Sequence, residues 1–382
     1  MAVEQKRRIN WRRLVGFACL LVFAAVLVIF IIAIFSADGS GLSGFFSRRL
    51  PEEPLSEYQF DVGRGRVFAD FGDSVAAAGT LGIQVLDNLG NETLREPFRM
   101  SSPALDVCEG RAVAFDIGGV DVRVFSSSEV FAAFEAEGAV ISASINENGW
   151  FCVCTQAGGG FKGIVTVYNN RGVSVYRASL ESGYVLSAAL SPDNRYLAVL
   201  NLPDDGSRIT FYRLNSPELD SAFDLPGGLI IDIRYVPGGD LIAVSTGAVT
   251  VVDRYGEGRA LYGFSGSILS GYAIGADFIA LHLLDYGVGY SGSIVTFSDD
   301  GGLLGEIAMD REVISMSIGG GYLAMLRNDG LVFYNAVLDE FQPYGRSASL
   351  AGASRVLALD NGAALAAGDH SAVVFRVEAN NS

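Results

Sequence analysis

The residues of this chain that could carry catalysis or bind a metal are few and scattered. There are two histidines: His282 lies in the strand-like run FIALHLL near Asp285, and His370 follows Asp369 in a turn. Neither has a second histidine at the spacing of a zinc site, and no G-x-S-x-G elbow occurs. This pattern argues against a metal site or a catalytic triad at either histidine.

Two further patterns resemble a phosphate-binding loop and a calcium-binding loop, but their sequence surroundings do not fit either site. Gly158, Gly160 and Gly163 match G-x-G-x-x-G, yet the strand-like run IVTVY follows, whereas a phosphate site needs a helix N-terminus behind the loop. The carboxylate pairs Asp204–Asp205 and Asp299–Asp300 lie in loops without the D-x-D-x-D-G spacing of a calcium loop. We interpret these stretches as a flexible loop and as turns, and expect no cofactor and no metal.

The stretch YVLSAALSPDNRYLAVLNL (184–202) shows which elements must position any functional residue. Two alternating apolar runs flank a polar segment in which Pro192 presets φ, Asp193 can bond its own backbone and Asn194 tolerates a left-handed conformation. This chemistry predicts a hairpin loop between antiparallel strands that are covered on both faces.

The same unit of apolar strand, Gly/Asp/Asn turn and apolar strand recurs along the chain. The other copies are ADFGDSVAAAG (69–79), DVCEGRAVAFD (106–116), SINENGWFCVC (144–154), RYVPGGDLIAVS (234–245), YAIGADFIALHL (272–283), MSIGGGYLAMLR (316–327) and LALDNGAALAAG (357–368). Their starts lie about 40 residues apart, the period of four-stranded propeller blades. A second hairpin follows most copies, as in GIVTVYNNRGVSVYRASL (163–180). The 47 glycines and the near absence of amphipathic helical stretches also indicate a large all-β domain.

Two of these turns carry a resemblance to known repeats. The run from Pro192 to Ala198 resembles the S-P-D-G-R-Y-L-A hairpin of TolB-like and WD-like β-propeller repeats, with Asn194 where those repeats prefer glycine. The YNNRG turn (168–172) is similar to the outer-strand turn of quinoprotein-like propellers. The resemblance covers roughly residues 57–378 and implies a fold, not an activity. The whole layout also resembles an uncharacterised family of membrane-anchored bacterial propellers, which brings no function with it.

A quinoprotein dehydrogenase is the enzyme that this resemblance most needs to exclude. Such enzymes repeat tryptophan through their blades, whereas Trp150 is the only tryptophan that follows the N-terminal segment. The docking ring of tryptophans is therefore missing.

The chain ends decide the number of blades. The last unit, SRVLALDNGAALAAGDHSAVVFRVEA, supplies three strands, and SEYQFDVG (56–63) is a lone strand before the first full blade. Pairing of the two would close a ring of eight blades with no open edge. The alternative is seven blades and one divergent segment, because the copy at 69–79 is rich in alanine. We predict an eight-bladed propeller over residues 56–378, with a tail at 379–382.

The N-terminus predicts a membrane anchor. Residues 14–35 contain no charge and would form a helix of about 33 Å, long enough to cross a bilayer. The basic residues before this run are Lys6, Arg7, Arg8, Arg12 and Arg13, and the nearest after it are Arg48 and Arg49. The asymmetry predicts a cytoplasmic segment 1–13, a transmembrane helix 14–35, a linker 36–55 and a propeller outside a bacterial plasma membrane. A cleaved signal peptide is the alternative, but its apolar region would span only about 7–15 residues.

Charge narrows the choice of partners. Residues 1–50 carry seven of the 27 basic and two of the 43 acidic residues, which leaves 20 and 41 in the rest and a net charge of −21. A domain this acidic is a poor candidate for nucleic acid or anionic lipid, and cationic or neutral partners fit better. Most of these charges are expected simply to keep the surface soluble.

The four cysteines form no zinc motif. Cys19 lies in the apolar N-terminal run, and Cys152 and Cys154 share one face of a predicted strand, where they are badly placed to bridge each other. Cys108, one blade earlier, could reach one of them. Packed free thiols are the favoured interpretation.

Long loops predict where binding occurs. The stretches 156–163, 201–208 and 284–293 join second to third strands and are longer than their counterparts, and in a propeller such loops share one face. The candidate binding residues are Phe161, Lys162, Asp204, Asp205, Tyr286 and Tyr290. Tyrosines among glycines suit a recognition surface, although packing against a neighbouring blade would explain them equally well.

The function expected from these features is a non-catalytic scaffold that binds a protein, peptide or glycan on the extracytoplasmic face of the plasma membrane. The alternative is a propeller hydrolase or lyase with acidic residues in the central funnel. We predict no specific catalytic residue.

Overall fold

The computed structural model describes residues 54–216, 218–236, 238–287, 289–369 and 372–376. Within these ranges the chain forms strands β1 to β32 and one short 3-10 helix, Ala348–Leu350. The strands make eight antiparallel sheets of four strands each. The eight-bladed, all-β propeller is therefore confirmed, and the seven-blade alternative is wrong.

Each of the first seven blades consists of four consecutive strands. Blades I to IV contain β2 (Val67–Asp70), β3 (Ser74–Gly79), β4 (Gly82–Asp87), β5 (Glu92–Pro97); β6 (Pro103–Cys108), β7 (Arg111–Asp116), β8 (Asp121–Ser126), β9 (Val130–Glu135); β10 (Val140–Ile145), β11 (Phe151–Thr155), β12 (Gly163–Tyr168), β13 (Ser174–Leu180); and β14 (Tyr184–Leu190), β15 (Tyr196–Leu202), β16 (Gly206–Arg213), β17 (Leu219–Pro226). Blades V to VII contain β18 (Ile230–Tyr235), β19 (Leu241–Ser245), β20 (Ala248–Val252), β21 (Gly258–Gly263); β22 (Ile268–Ile274), β23 (Ile279–Leu284), β24 (Gly292–Phe297), β25 (Leu303–Met309); and β26 (Val313–Gly319), β27 (Tyr322–Arg327), β28 (Gly330–Tyr334), β29 (Glu340–Gly345).

The eighth blade joins the two ends of the chain. It contains β30 (Ala353–Leu359), β31 (Ala363–Gly368), β32 (Ala372–Arg376) and, as its outermost strand, β1 (Ser56–Tyr58). Ser56 lies opposite Val374 and Tyr58 opposite Ala372 in an antiparallel register. The closing strand expected at 56–63 is thus confirmed in its role, although only its first three residues are paired as strand.

Turn chemistry explains why the hairpins form where the sequence predicts them. Ser191 Oγ accepts a hydrogen bond from the Tyr196 N–H at 2.9 Å, and Asn194 has the left-handed φ of 56° that the turn requires. In blades I, III, V and VII an Asp or Asn at the end of the third strand accepts hydrogen bonds from the N–H groups two and four residues later. These residues are Asp87, Asn169, Asp253 and Asn335.

The core lies between neighbouring blades. Between blades IV and V, for example, Leu200 and Phe211 pack with Ile233 and Leu241, and each of these side chains is buried. The same arrangement repeats around the ring, because strands that are apolar on both faces are covered by a blade on each side. Blade I uses alanines for this purpose, and Ala76 and Ala78 are fully buried.

The first strands of the blades form the innermost ring and surround a central channel. Contacts between first strands of successive blades, such as β10 with β14 and β26 with β30, run around this ring. We call the end of the ring at which each first strand begins the upper face. Antiparallel pairing places the loops from second to third strands and the connections between blades at this face. The six predicted binding residues therefore lie at the upper face.

The N-terminal features lie outside the part of the chain described above. The expected cytoplasmic segment, transmembrane helix 14–35 and most of the linker fall in this undescribed stretch. Among the described residues, no helix has the length and apolar character needed to cross a bilayer.

Candidate functional site

The structure places the six predicted binding residues on three loops of the upper face. Phe161 is 38% exposed and Lys162 Nζ lies 5.0 Å from the centre of the Tyr184 ring, so the blade III loop rests against the start of blade IV. Tyr286 and Tyr290, at 84% and 51% exposed, lie on blade VI. In the described part of the chain neither tyrosine packs into a hydrophobic core cluster. Their exposure favours the recognition interpretation over packing.

The acidic pair lies on a shorter loop than expected. Asp204 and Asp205 are exposed, but β15 and β16 extend so far that only residues 203–205 connect them. The predicted long loop at 201–208 is therefore wrong in its extent. The loops at 156–162 and 285–291 are long, as predicted. No described hydrogen bond or ion pair involves the carboxylate of Asp204 or Asp205. Both are accessible to a partner, although the charge of Arg208 attracts Asp205.

An apolar arc accompanies these loops at the upper face. Its members are large side chains of blades III to VII that are between 38% and 84% exposed: Phe161, Tyr184, Leu229, Ile231, Ile268, Tyr286, Tyr290 and Ile314. Ile231 and Ile314 belong to first strands, so the arc reaches the mouth of the channel. Large apolar side chains are also exposed at the opposite end of the ring, for example Leu89 and Tyr255. The arc differs from these because it lies beside the long loops and reaches the channel mouth, and an exposed apolar area at such a place is typical of an interaction surface.

A charged network crosses the channel below this mouth. Asp106 of blade II and Arg234 of blade V approach to 3.9 Å between Oδ1 and Nη2, although the two blades are not neighbours. Asp106 Oδ2 also accepts a hydrogen bond from the Ile145 N–H at 2.9 Å, and the Tyr272 hydroxyl donates to Asp232 Oδ2 at 3.1 Å. We call these four side chains, Asp106, Asp232, Arg234 and Tyr272, the channel network.

Burial and charge shift the pKa values of this network in opposite directions. Burial raises the pKa of Asp106 and of Asp232, and the positive charge of Arg234 opposes that rise. Burial alone would lower the pKa of Arg234, but attraction to Asp106 and Asp232 outweighs it. The Arg234 side chain is 51% exposed; because it lies on an innermost strand, that exposure is to the water of the channel rather than to the outer surface.

A cleft of 340 Å³ opens beside the network, between the first strands of blades V, VI and VII. Its lining includes Ile231, Gly271, Tyr272, Ile314 and Met316. His282 also lines it, from the second strand of blade VI. The His282 side chain is 2% exposed, its Nε2 has no hydrogen-bond partner in the described part of the chain, and burial lowers its pKa. The imidazole is therefore neutral at pH 7 and has an unmet hydrogen bond.

The described cysteines are free thiols, as favoured from the sequence. Burial, with the negative Asp106 nearby, raises the pKa of Cys108 to about 11, and burial raises that of Cys152 to about 12. A thiol with such a pKa stays protonated and is a poor nucleophile. Cys19 and His370 lie outside the described residues. No cluster of three His, Cys, Asp or Glu side chains among the described residues is arranged to hold a metal ion.

Sequence reasoning missed the channel network and set His282 aside. The signal was present in the repeats: Asp106, Asp232 and Arg234 are charged residues in first strands whose other members are mostly apolar or small. Recognising them required an alignment of the blades by strand register, which the sequence alone does not supply.

Fold and surface together define a β-propeller with an exposed loop face and a polar channel. A family model matches residues 53–337, and the chain belongs to this family, which is described as a family of unknown function (DUF5711). No curated protein matches the chain significantly.

Solved structures share the fold at low sequence identity. The C-terminal WD40 domain of Sif2 is 12% identical with a TM-score of 0.59, and the match covers 86% of this chain and 98% of that one. BamB from Moraxella catarrhalis is 17% identical with a TM-score of 0.55, over 85% of this chain and 99% of BamB. AztD from Citrobacter koseri is 10% identical with a TM-score of 0.52, over 74% and 86%. These likenesses concern the fold alone.

Proposed function

We propose that this protein is a non-catalytic scaffold of the extracytoplasmic face of the plasma membrane, which binds a protein, peptide or glycan partner at the upper face of its propeller. The observation that carries the proposal is the apolar arc. Eight large exposed side chains of blades III to VII share the face that bears the long loops. Leaving such side chains in water gives the isolated protein no stability, whereas covering them would contribute to binding.

The composition of the upper face indicates what kind of partner fits. Tyr286 and Tyr290 offer rigid amphipathic rings on a glycine-containing loop, which suits the centre of an interface. Asp204 and Asp205 add negative charge that no ion pair in the described part of the chain neutralises, although Arg208 lies close enough to attract Asp205, so a neutral or cationic partner is preferred. In this arrangement the tyrosines provide affinity, and the acidic pair steers the encounter.

The location rests on the N-terminal sequence. The uncharged run 14–35 and the excess of basic residues before it support an anchor with a cytoplasmic N-terminus. A reporter or protease-accessibility assay with tags at both ends tests this part. We expect a membrane-bound protein whose C-terminus is outside the cell, and a cytoplasmic C-terminus would contradict it.

A propeller hydrolase or lyase is the alternative, and the channel carboxylates are the observation that favours it. Each carboxylate is already engaged, however: Asp106 with the Ile145 N–H and Arg234, and Asp232 with the Tyr272 hydroxyl. A carboxylate that already interacts with other groups of the propeller contributes first to the structure of the channel. The binding scaffold therefore remains the better-supported function.

Site-specific photocrosslinking on the full chain tests the binding face. A photoreactive amino acid at position 286 or 290 should capture a defined partner, and the same group at Tyr255 is the matched control. Tyr255 is 67% exposed but lies in a turn from third to fourth strand, at the opposite end of the ring.

A pull-down of the partner with the full chain measures how much the tyrosines contribute. Tyr286→Ala with Tyr290→Ala should weaken this pull-down at least tenfold, since central aromatic anchors typically contribute about 2 kcal/mol or more. Equal adducts at 255 and 286, or an equal pull-down of the partner by the wild type and the double variant, would refute the assignment of this face.

A further inference from the structure

We propose that the cleft between blades V, VI and VII is a binding site for a phenol group. The phenol could belong to a free small molecule or to a tyrosine side chain that a partner inserts from the upper face. Only the second source rests on the proposed function. The cleft measures 340 Å³, near the lower limit of small-molecule sites, which are about 300–1,000 Å³. It therefore suits one ring rather than a large ligand.

The unmet hydrogen bond of His282 is the first reason to expect a ligand. His282 is buried, with 2% of the residue surface exposed, yet Nε2 has no partner among the described residues. A buried polar atom without a partner costs free energy, so native proteins rarely keep one without a use. His282 lines the cleft, although Nε2 itself is covered in this structure. A rotation of the imidazole towards the cleft would let a bound hydroxyl supply the missing partner.

The repeats show that this arrangement is special to blade VI. In six first strands the register against the second strand shifts by one residue near the upper face. The residues after the shift are Ser142, Ser187, Asp232, Gly271, Ser315 and Arg355, and their cross-strand partners are Cys154, Leu200, Val244, His282, Leu326 and Ala367.

Two exceptions therefore coincide in one cross-strand pair. Gly271 is the only member of the first set without a side chain, and His282 is the only strongly polar member of the second. Val244 and Leu326, the equivalents in the two neighbouring blades, are buried core residues. The missing side chain at Gly271 leaves space beside the Cβ of His282. Neither change alone would place a polar side chain beneath an open cleft.

The lining favours an uncharged aromatic group. Ile231, Ile314 and Met316 offer apolar contact, and a thioether sulfur makes favourable contacts with aromatic rings. No lysine or arginine lines the cleft, so an anion would lack a counter-charge. The Tyr272 hydroxyl already donates to Asp232, which leaves His282 to bind the polar tip of the ligand.

Gly271 offers a substitution that fills the cleft without disturbing the fold. A Cβ atom built at this position would lie 3.7 Å from Met316 Sδ and 3.9 Å from His282 Cβ, which are ordinary van der Waals distances. Gly271 does not have a positive φ. Gly263→Ala is the matched control. Gly263 also lies in a strand, has no positive φ, and has open space where a Cβ atom would be added.

The experiment is histidine-selective NMR of the full chain, in detergent if it requires one, titrated with p-cresol. The chain has two histidines, so His370 serves as an internal reference. We expect p-cresol to shift the His282 signal in the wild type and in Gly263→Ala, and to bind at least tenfold more weakly to Gly271→Ala. Toluene, which lacks the hydroxyl, should also bind at least tenfold more weakly than p-cresol. N-acetyl-tyrosinamide separates the two sources: tighter binding than p-cresol indicates a partner's side chain, and weaker binding a free phenol.

Two results would overturn the proposal. One is equal binding of toluene and p-cresol, which would remove the role of His282. The other is the absence of any p-cresol effect on the His282 signal of the folded wild type. Both are read on the wild type and so do not depend on how a variant folds. Failure of the crosslinking test at 286 and 290 would leave these results unchanged, which keeps the two proposals separable.

Discussion

The boundary between blades IV and V and the boundary between blades VI and VII are built to the same plan but serve different ends. At the first, Leu200 lies opposite Ser187 and packs into a closed apolar core. At the second, His282 lies opposite Gly271 and faces a cleft. Because six blades share this register, the ordinary boundary is an internal reference for the unusual one. A departure from the repeat that costs stability is a guide to function.

The ordinary boundary should show the largest stability effect. Leu200 is fully buried, so Leu200→Ala removes apolar contacts and leaves a cavity between two blades. We expect a loss of about 2–5 kcal/mol in the free energy of unfolding, measured by denaturant titration. A loss below about 1 kcal/mol would show that the interblade core can collapse around the gap. The boundary between blades IV and V could then no longer serve as the reference for the boundary between blades VI and VII.

The channel network should show the next largest effect. Arg234→Met keeps most of the side-chain length but leaves Asp106 and Asp232 without their shared cation. We expect a loss of about 1–3 kcal/mol at pH 7, less than for a dry buried pair because the Arg234 side chain is half exposed to channel water.

This loss should also depend on pH. Both carboxyl groups have raised pKa values in the fold, so the folded state binds protons more readily than the unfolded state. Without Arg234 the rise is larger, and the deficit should shrink as the pH falls from 7 towards 5. Arg213→Met is the control: Arg213 is 48% exposed and pairs with Asp220 on the outer surface, where the expected loss is about 0–1 kcal/mol. Equal losses for both variants would contradict a special role of the channel.

Much of the fold could be predicted from sequence because turn chemistry is local. Ser191, Asp193 and the backbone N–H of Asn194 hold their hairpin by hydrogen bonds within a few residues, and such turns recur at the blade period. The lone strand at residue 56 could be paired with the last blade because a closed ring leaves no other place for it. The predicted loop residues lie at the upper face for the same topological reason.

The channel network and the cleft beside it could not be predicted in this way, since both depend on contacts between distant segments. Asp106 meets Arg234 across the ring, three blades away. Gly271, Asp232 and Ser315 are equivalent because each follows a register shift between the first and second strands of its blade. No residue type in the sequence predicts this shift. His282 was set aside because it has no second histidine nearby. That reasoning excludes a metal site, but it does not address a ligand that needs only one hydrogen bond.

His282→Leu should change the free energy of unfolding least, but the direction of the change is the most informative. Leucine is the residue at the equivalent position of blades IV and VII, and the change removes a buried polar atom without a partner. We expect the free energy of unfolding to rise by about 1 kcal/mol at pH 7, while p-cresol binding is lost.

Burial lowers the pKa of His282, so in the wild type the unfolded state takes up a proton first as the pH falls through about 6.5. Wild-type stability should therefore decline below that pH and the advantage of the leucine variant should widen, as measured by denaturant titrations at pH 7.5 and 5.5. A variant that is less stable than the wild type at pH 7 would mean that the imidazole stabilises the fold. The boundary between blades VI and VII would then be an ordinary one that contains an unusual residue.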